Sequence, residues 1–416
     1  MRETTVARIG VIGGGVVGLA AAVRLARTGH EVTVFEPDAD RRAASWRNAG
    51  HIATEQVAPL ASPGTVRTAV RRLFALGGPL DLPLSQVGDW APFAGRFLAA
   101  ASPGRFRRGQ AALGALLAPA LDDWRDLADD IGRPDLVRAD GHFVVWESAG
   151  SARRGRAVWA AAGTGRARFE DVTPADRQRL ARTATEPLHG EIRFSGSGQI
   201  SDLDALAVAL ETALAAAGGR IVREAAGLEV EGGHAVIGNL PLDRVLVTAG
   251  VRSGALMAVA GHRAPIIAER GYHIRAGAPL WPADLPPVVF EDRSMIVTRY
   301  AECIQAAGFV EFGRADAPPD PRKWDRLERH VRDLGLPIPG PFQRWMGARP
   351  TLPDYLPAIG RSDRVPNLYY AFGHQHLGLT LAATTARIVS ALIDRAPPPV
   401  DVSPFSLSRF ERSPRP

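Results

Sequence analysis

The chain has 416 residues, 46% apolar and 23% charged; this is globular composition, which excludes a disordered, collagen-like or coiled-coil polymer and leads us to expect two or three domains. One cysteine, Cys303, excludes intrachain disulfides, Cys-x-x-Cys redox pairs and Cys-based zinc clusters. The net charge of +6 and the pI near 10.1 do not by themselves indicate nucleic acid. The only lysine is Lys323, the rest of the positive charge is arginine spread along the chain, and the clusters Arg71-Arg72 and Arg105–Arg108 are too short to track a phosphate backbone.

In chain order, Met1–Arg8 has no signal-peptide layout and runs into Ala7–Ile12, an Ile- and Val-rich run expected to be a buried parallel strand. Gly13, Gly15 and Gly18 then have Gly-x-Gly-x-x-Gly spacing, with Val16 and Val17 between the last two. An alanine-rich helix follows to Thr28, and Glu31–Phe35 forms a second strand ending at Glu36. Each glycine meets a separate physical need. Gly13 makes the tight turn, Gly15 lets the backbone approach a pyrophosphate, and Gly18 allows close helix–strand packing. The helix N-terminus offers free N–H groups to the anion, and Glu36 can accept hydrogen bonds from a ribose. The unit reads as a dinucleotide site. No second such glycine motif and no cysteine pair follow, so if the dinucleotide is FAD the electrons come most simply from the substrate.

Further along, Arg105–Arg108 precedes the apolar Ala111–Leu121, expected as a core helix broken near Pro119 and, as the alternative, as a peripheral membrane contact. Strand-like runs fall at His142–Trp146, Val288–Glu291, Met295–Tyr300 and Ile304–Phe312. Ser201–Ala217 is expected as a helix capped by Ser201, then strands at Arg220–Arg223 and Leu242–Val247, the latter ending in Thr248-Ala249-Gly250. Lys323–Leu334 reads as an amphipathic helix with Trp324, Leu327, Val331 and Leu334 inward and its charges in solvent. Asn367–Phe372 is strand-like, Gly373–Gly378 a loop, and Leu379–Ile393 a helix. The charge-free stretch Val365–Ala386, holding Pro366, Asn367, Gln375 and two histidines, is a poor membrane span. The expected placement is cytoplasmic, with peripheral contact at the inner face of the membrane as the alternative.

Four segments in this order carry a family resemblance: Ile12–Gly18 with Glu36, Ser45–Ser62, Gly347–Gly360 and Gly373–Thr380. Ser195–Asp202 and Glu269–His273 support it. Over nearly its whole length the chain resembles the D-amino-acid oxidase superfamily of FAD enzymes, and within it the bacterial D-amino-acid dehydrogenase branch. The resemblance implies an α/β fold: a discontinuous Rossmann-like FAD-binding domain (1–60, 196–261 and 346–400) with a second α+β substrate domain of mixed antiparallel sheet plus helices (61–195 and 262–345), then a tail at 401–416. It also implies oxidation of an amino-acid Cα–N bond by hydride transfer to flavin N5, which needs a neutral amine, a fixed carboxylate and a dry site.

By resemblance, Arg349 binds the substrate carboxylate bidentately, or else braces the loop or touches the flavin. Tyr272 adds a hydrogen bond to that carboxylate, or is a half-buried strand tyrosine. His273 and His51 tune amine protonation, or are hydrogen-bonded structural groups. His374 and His376 border the loop near the flavin edge. Gly13, Gly15, Val16, Val17, Gly18 and Glu36 hold the ADP half, with Val222 near the adenine and Thr248 and Gly250 counted among the cofactor contacts. Ser45, Asn48, Ala49, Gly50 and His51 lie on the flavin side, and Gly347, Gly378 and Thr380 at its pyrimidine end. FAD is expected to be non-covalent, with Cys303 an ordinary core residue, no metal and no nucleic-acid partner. The electron acceptor is expected to be a quinone or another carrier rather than NAD(P). A D-amino acid, cyclic ones such as D-proline or cis-4-hydroxy-D-proline included, leads the substrate classes. The alternatives are a sarcosine, glycine or opine oxidase, a flavoprotein subunit of a hetero-oligomer, and an RNA-linked flavin domain favoured only by the pI.

Overall fold

A computed structural model describes residues 6–277 and 279–411. Five strands lie parallel in the order Arg220–Val222, Glu31–Phe35, Arg8–Ile12, Arg244–Val247 and Leu368–Phe372, and Ala358–Arg361 joins the last of them antiparallel. Their apolar runs are nearly continuous because both faces are covered. Ile9, Val11, Val32, Val34 and Leu246 share one core with the helices Val16–Arg27, Leu203–Ala216 and Gly378–Ile393. Ile12, Phe35, Val245 and Val247 enter a second core on the opposite face. The helix expected from Ser201 is capped one residue later: the Asp202 carboxylate accepts from Ala205 N at 2.8 Å, while Ser201 Oγ turns to the Leu136 carbonyl.

The second sheet has nine strands and is mostly antiparallel. Gln343–Thr351, Ile267–Ala276 and Ile304–Gly313 lead it; Met295–Arg299, Val288–Phe290, His142–Trp146, Gly190–Ser195 and Arg168–Asp171 follow, and Leu80–Asp81 pairs with Ile304–Gly313. A small sheet of His51–Ile52, Gly198–Ile200 and Val137–Arg138 lies beside the chain's first loop.

The helix Pro321–Asp333 turns Leu327 and Val331 inward as its periodicity predicts, but its lysine is not in solvent. Lys323 is fully buried, with Nζ 2.6 Å from Asp81 Oδ2 and Glu311 Oε2 and 2.8 Å from Asp320 Oδ2. Burial alone would depress its pKa; the hydrogen bonds it donates to the three carboxylates raise it instead. The buried Arg270 completes the group, 2.6 Å from Glu311 Oε1.

Pro119 separates the helices Pro103–Leu117 and Ala120–Asp130, and Leu113, Leu116 and Leu117 are buried in the first core. Among the described residues one helical stretch, Gln375–Ile393, is long and apolar enough to cross a membrane; 72% of that window is buried inside the protein, and its helix packs on Val16–Arg27.

Candidate active site

The glycine turn is built by contact as well as by torsion. Gly13 has φ +108°, and a Cβ there would lie 2.6 Å from the Thr248 carbonyl oxygen. A Cβ at Gly18 would stand 2.0 Å from Gly13 O and 2.6 Å from Thr248 Oγ1, which is the close packing its spacing predicts. The Thr248 hydroxyl donates to Gly13 O at 2.8 Å and holds the turn on its strand. Gly250, with φ +56°, follows and opens a short 3₁₀ turn.

The helix Val16–Arg27 begins at Gly15 with no acidic residue in its first turn. Among the described residues, leaving aside its chain neighbours, only Ser45 Oγ comes within 4 Å of where a Gly15 Cβ would be, at 3.1 Å. Glu36 accepts from Gly14 N at 2.7 Å and from Asp38 N at 2.9 Å, and each carboxylate oxygen keeps a further lone pair. Val222 lies beside it, its carbonyl accepting from Glu36 N at 3.0 Å. These features fit the ADP half of FAD: a helix start with no acidic residue to repel an anion, glycine backbone beside it, and a carboxylate for ribose. Ser45, expected at the flavin side, instead accepts from Val16 N at 3.2 Å, at the same helix start.

The next loop is fastened to the large sheet. The Asn48 carbonyl accepts from Tyr300 OH at 2.6 Å and from Gln305 Nε2 at 3.1 Å, and Thr298 Oγ1 donates to Ala49 O at 2.8 Å. Asn48 Oδ1 accepts from Gly50 N at 3.0 Å, and Gly50 has φ +72° with the Tyr300 ring against it. Cys303 is half-buried just before Ile304–Gly313; burial pushes its thiol pKa up, and it packs against the first core.

Between this loop and the sheet runs a narrow cavity lined by Asn48, Ala49, His273, Gln305, Trp345 and Arg349, among others. Its floor exists because Gly271 and Gly347 face each other across adjacent strands. A Cβ at Gly271 would strike the Arg349 guanidinium at 2.5 Å, and one at Gly347 the Trp345 ring at 1.9 Å. Arg349 Nη1 donates to Glu269 Oε1 at 3.1 Å; Glu269 is buried, and its Oε2 accepts from Thr351 Oγ1 at 2.9 Å and Tyr355 OH at 3.1 Å. His273 stacks on Trp345 with ring centroids 4.8 Å apart, and burial, with Arg275, Arg47 and Arg349 near it, holds its pKa well below the usual value. It is neutral at physiological pH.

Arg349, His273, Asn48, Ala49 and Gly347 are therefore brought together. Arg47, inside the Ser45–Ser62 segment, lines the same space, as do Gln305 and Trp345, which no sequence motif marks. Of these two, Trp345 had a local signal, two residues before Gly347 and so on the same strand face.

Three expected side chains, Tyr272, His51 and His374, point elsewhere. Tyr272 lies on the strand lining the cavity, but its hydroxyl donates to Glu311 Oε2 at 3.2 Å and accepts from Asp320 N at 3.1 Å, on the opposite face from Arg349. Alternation along Ile267–Ala276 is the cause: Glu269, Gly271 and His273 share one face, and Arg270 and Tyr272 the other. His51 is buried between Gly198 O and Glu55, outside the cavity lining. His374 is buried and bonds Thr385 Oγ1 at 3.0 Å, its pKa lowered to about 3 by burial. His376 stays near the site: its Nε2 lies 2.6 Å from Gln56 Oε1, burial lowers its pKa, and Glu269 and Arg349 are close enough to act on it. Gly378 begins the last long helix, and Thr380 Oγ1 accepts from Ala53 N at 3.0 Å, tying that helix to the segment after the loop.

Against known proteins, the DAO family model, described as FAD dependent oxidoreductase, matches residues 8–392. The chain belongs to the DAO family. It is thus an FAD-dependent oxidoreductase, and the nucleotide that its glycine turn fits is FAD. It is 31% identical to a D-amino-acid oxidase of Bradyrhizobium diazoefficiens, over 97% of this chain and 98% of that one. It is 32% identical to D-amino acid dehydrogenase 2 of Pseudomonas aeruginosa, over 95% of this chain and 97% of that one. Among solved structures, the glycine oxidase of Geobacillus kaustophilus superposes with a TM-score of 0.70 at 22% identity, covering 97% of this chain and 98% of that one. The L-proline dehydrogenase of P. horikoshii superposes at 0.71 and 16%, with the same coverage. These DAO-family likenesses share the α/β fold with a second mixed-sheet domain.

Proposed function

We propose that this DAO-family chain oxidises the Cα–N bond of a D-amino acid, primary or cyclic, to the imino acid, which water or cyclisation resolves. The observation that carries the reading is Arg349, anchored by a buried carboxylate and turned into a cavity that the Asn48–Gly50 loop closes on the other side. Identity to D-amino-acid enzymes over nearly the full length of both chains supports the D configuration. When bound, FAD supplies the two-electron acceptor for the Cα hydrogen, taken as hydride.

The chain's own residues meet the remaining needs. Arg349 pairs with the substrate carboxylate through the part of its guanidinium not committed to Glu269. Arg47 and Arg275 add positive charge near His273, and a cationic surrounding lowers the pKa of a bound ammonium and favours the neutral amine that oxidation requires. The stacked His273 and Trp345, with Ala307, keep water from the reacting carbon. In this reading Gly13, Gly15, Gly18 and Glu36 hold the ADP half, and Asn48, Ala49 and Gly50 flank the flavin.

A quinone or another carrier, rather than NAD(P), takes the electrons in this reading, since the sequence has no second dinucleotide turn for NAD(P). Peripheral membrane contact would rest on the exposed Arg105, Arg107 and Arg108, since the apolar segment after them is committed to the core. Steady-state turnover of D- and L-amino acids with oxygen, and separately with a quinone-like dye, tests the reading. Turnover of D-substrates with the dye is expected. Turnover confined to sarcosine, glycine or opines moves the chain to the amine-oxidase alternative, and no turnover of any amine makes it an assembly or relay subunit.

A further inference from the structure

Away from the cavity, the small three-stranded sheet gathers His51, Glu55 and His142, all buried, each offering one ligand atom within 4.8 Å of the others. His51 Nε2 lies 3.1 Å from Glu55 Oε1, and its Nδ1 lies 3.1 Å from the Gly198 carbonyl. His142 Nδ1 lies 2.8 Å from Ser197 Oγ, which leaves Nε2 as its available nitrogen. The two rings meet edge to face with centroids 4.6 Å apart.

Two features are hard to reconcile with an ordinary hydrogen-bonded core. Glu55 is 3% exposed, yet its Oε2 has no hydrogen-bond partner; a buried ionised oxygen left unpaired is strongly unfavourable. In addition, both nitrogens of His51 face atoms that only accept, a carbonyl and a carboxylate. A neutral imidazole has one N–H and cannot satisfy both.

A cation among the three side chains resolves both conflicts at once. His51 Nε2 then gives its lone pair to the ion while Nδ1–H donates to Gly198 O. A carbonyl or hydroxyl on the far nitrogen of each histidine is the usual support of a metal-bound imidazole. We propose that His51, Glu55 and His142 form a divalent-metal site, and that zinc is the ion it takes. Two imidazoles and a carboxylate suit zinc, whose tetrahedral ligands stand about 3.4 Å apart at bond lengths of about 2.1 Å. The His51–Glu55 pair, 3.1 Å apart, is already near that spacing, and all three ligand atoms lie within 4.8 Å of one another.

The site's role is structural. It ties the segment just after the Asn48–Gly50 loop to His142–Trp146 of the large sheet, with Ser197 and Gly198 behind the ligands. Zinc has no redox chemistry and lies outside the cavity lining.

The test uses the full chain loaded with FAD, incubated with zinc chloride, desalted in metal-free buffer and assayed by elemental analysis. About one zinc ion per chain is expected in the native sequence, at least tenfold less in Glu55→Gln and His142→Ala at equal FAD content, and a thermal midpoint that a chelator lowers only in the native chain. No retained zinc together with a midpoint indifferent to zinc and chelator overturns the site and leaves a buried His51 imidazolium paired with Glu55. Zinc retained equally by both variants overturns it too, by placing the ion elsewhere. If the variants fail to fold, zinc content and chelator response of the native chain decide.

Discussion

Arg349 and Glu269 are paired across two adjacent strands with Nη1 and Oε1 3.1 Å apart, the carboxylate buried and the arginine side chain 28% exposed towards the cavity. The carboxylate fixes one edge of the guanidinium and leaves the other for a ligand. Charged hydrogen bonds contribute about 1.5–3 kcal/mol, so Arg349→Lys should lower kcat/KM for the amino acid by about 10- to 150-fold, with FAD content unchanged. Glu269→Gln should lower kcat/KM less and also lower the melting temperature, because Thr351 and Tyr355 lose a charged acceptor. Steady-state kinetics with flavin absorbance and thermal unfolding check both.

Tyr272→Phe separates the two faces of the same strand. Its hydroxyl serves Glu311 and Asp320, so the variant should keep kcat/KM within about threefold and lose about 1 kcal/mol of stability. A rise in KM of tenfold or more would return the hydroxyl to the substrate.

Gly18→Ala places a methyl group 2.0 Å from a backbone oxygen in the nucleotide turn. The expected result is a chain purified largely without flavin and destabilised by about 1–3 kcal/mol, the usual range for overpacking. The ratio of flavin to protein absorbance and a thermal melt read the outcome.

His374 gives a pH prediction. Burial lowers its folded pKa to about 3 from an ordinary value of 6.5, so the unfolded chain binds the extra proton between those values. Its contribution to stability is complete above pH 6.5 and is lost as pH falls towards 3, at no more than about 1.4 kcal/mol per pH unit. Denaturant unfolding from pH 7 to pH 4 should show a shallower decline in His374→Gln than in the native chain, by up to one proton.

What could be read from the sequence depended on how local each signal was. Gly13, Gly15, Gly18 and Glu36 lie within one strand–helix–strand unit, where spacing alone fixes geometry, and each stands where that spacing puts it. Strand register is not local. Arg349 meets Glu269 only because strands distant in sequence align, and Tyr272 fails by one residue because alternating side chains reverse sides at each step. Lys323 looked like one charge on an amphipathic helix; Asp81, Glu311 and Asp320 approach it from three separate segments, two of them distant in sequence. His51 was legible as a buried histidine near the loop but not as a partner of Glu55 and His142, since His142 arrives on another sheet.

The most direct measurement is rapid anaerobic mixing of the FAD-loaded chain with D- and L-forms of the same amino acids, following flavin absorbance. Bleaching by one or more D-amino acids or D-imino acids, with the L-forms inert and the response lost or slowed in Arg349→Lys, is the predicted result. Flavin that stays oxidised with every D-substrate, or that is bleached only by L-forms, would contradict it.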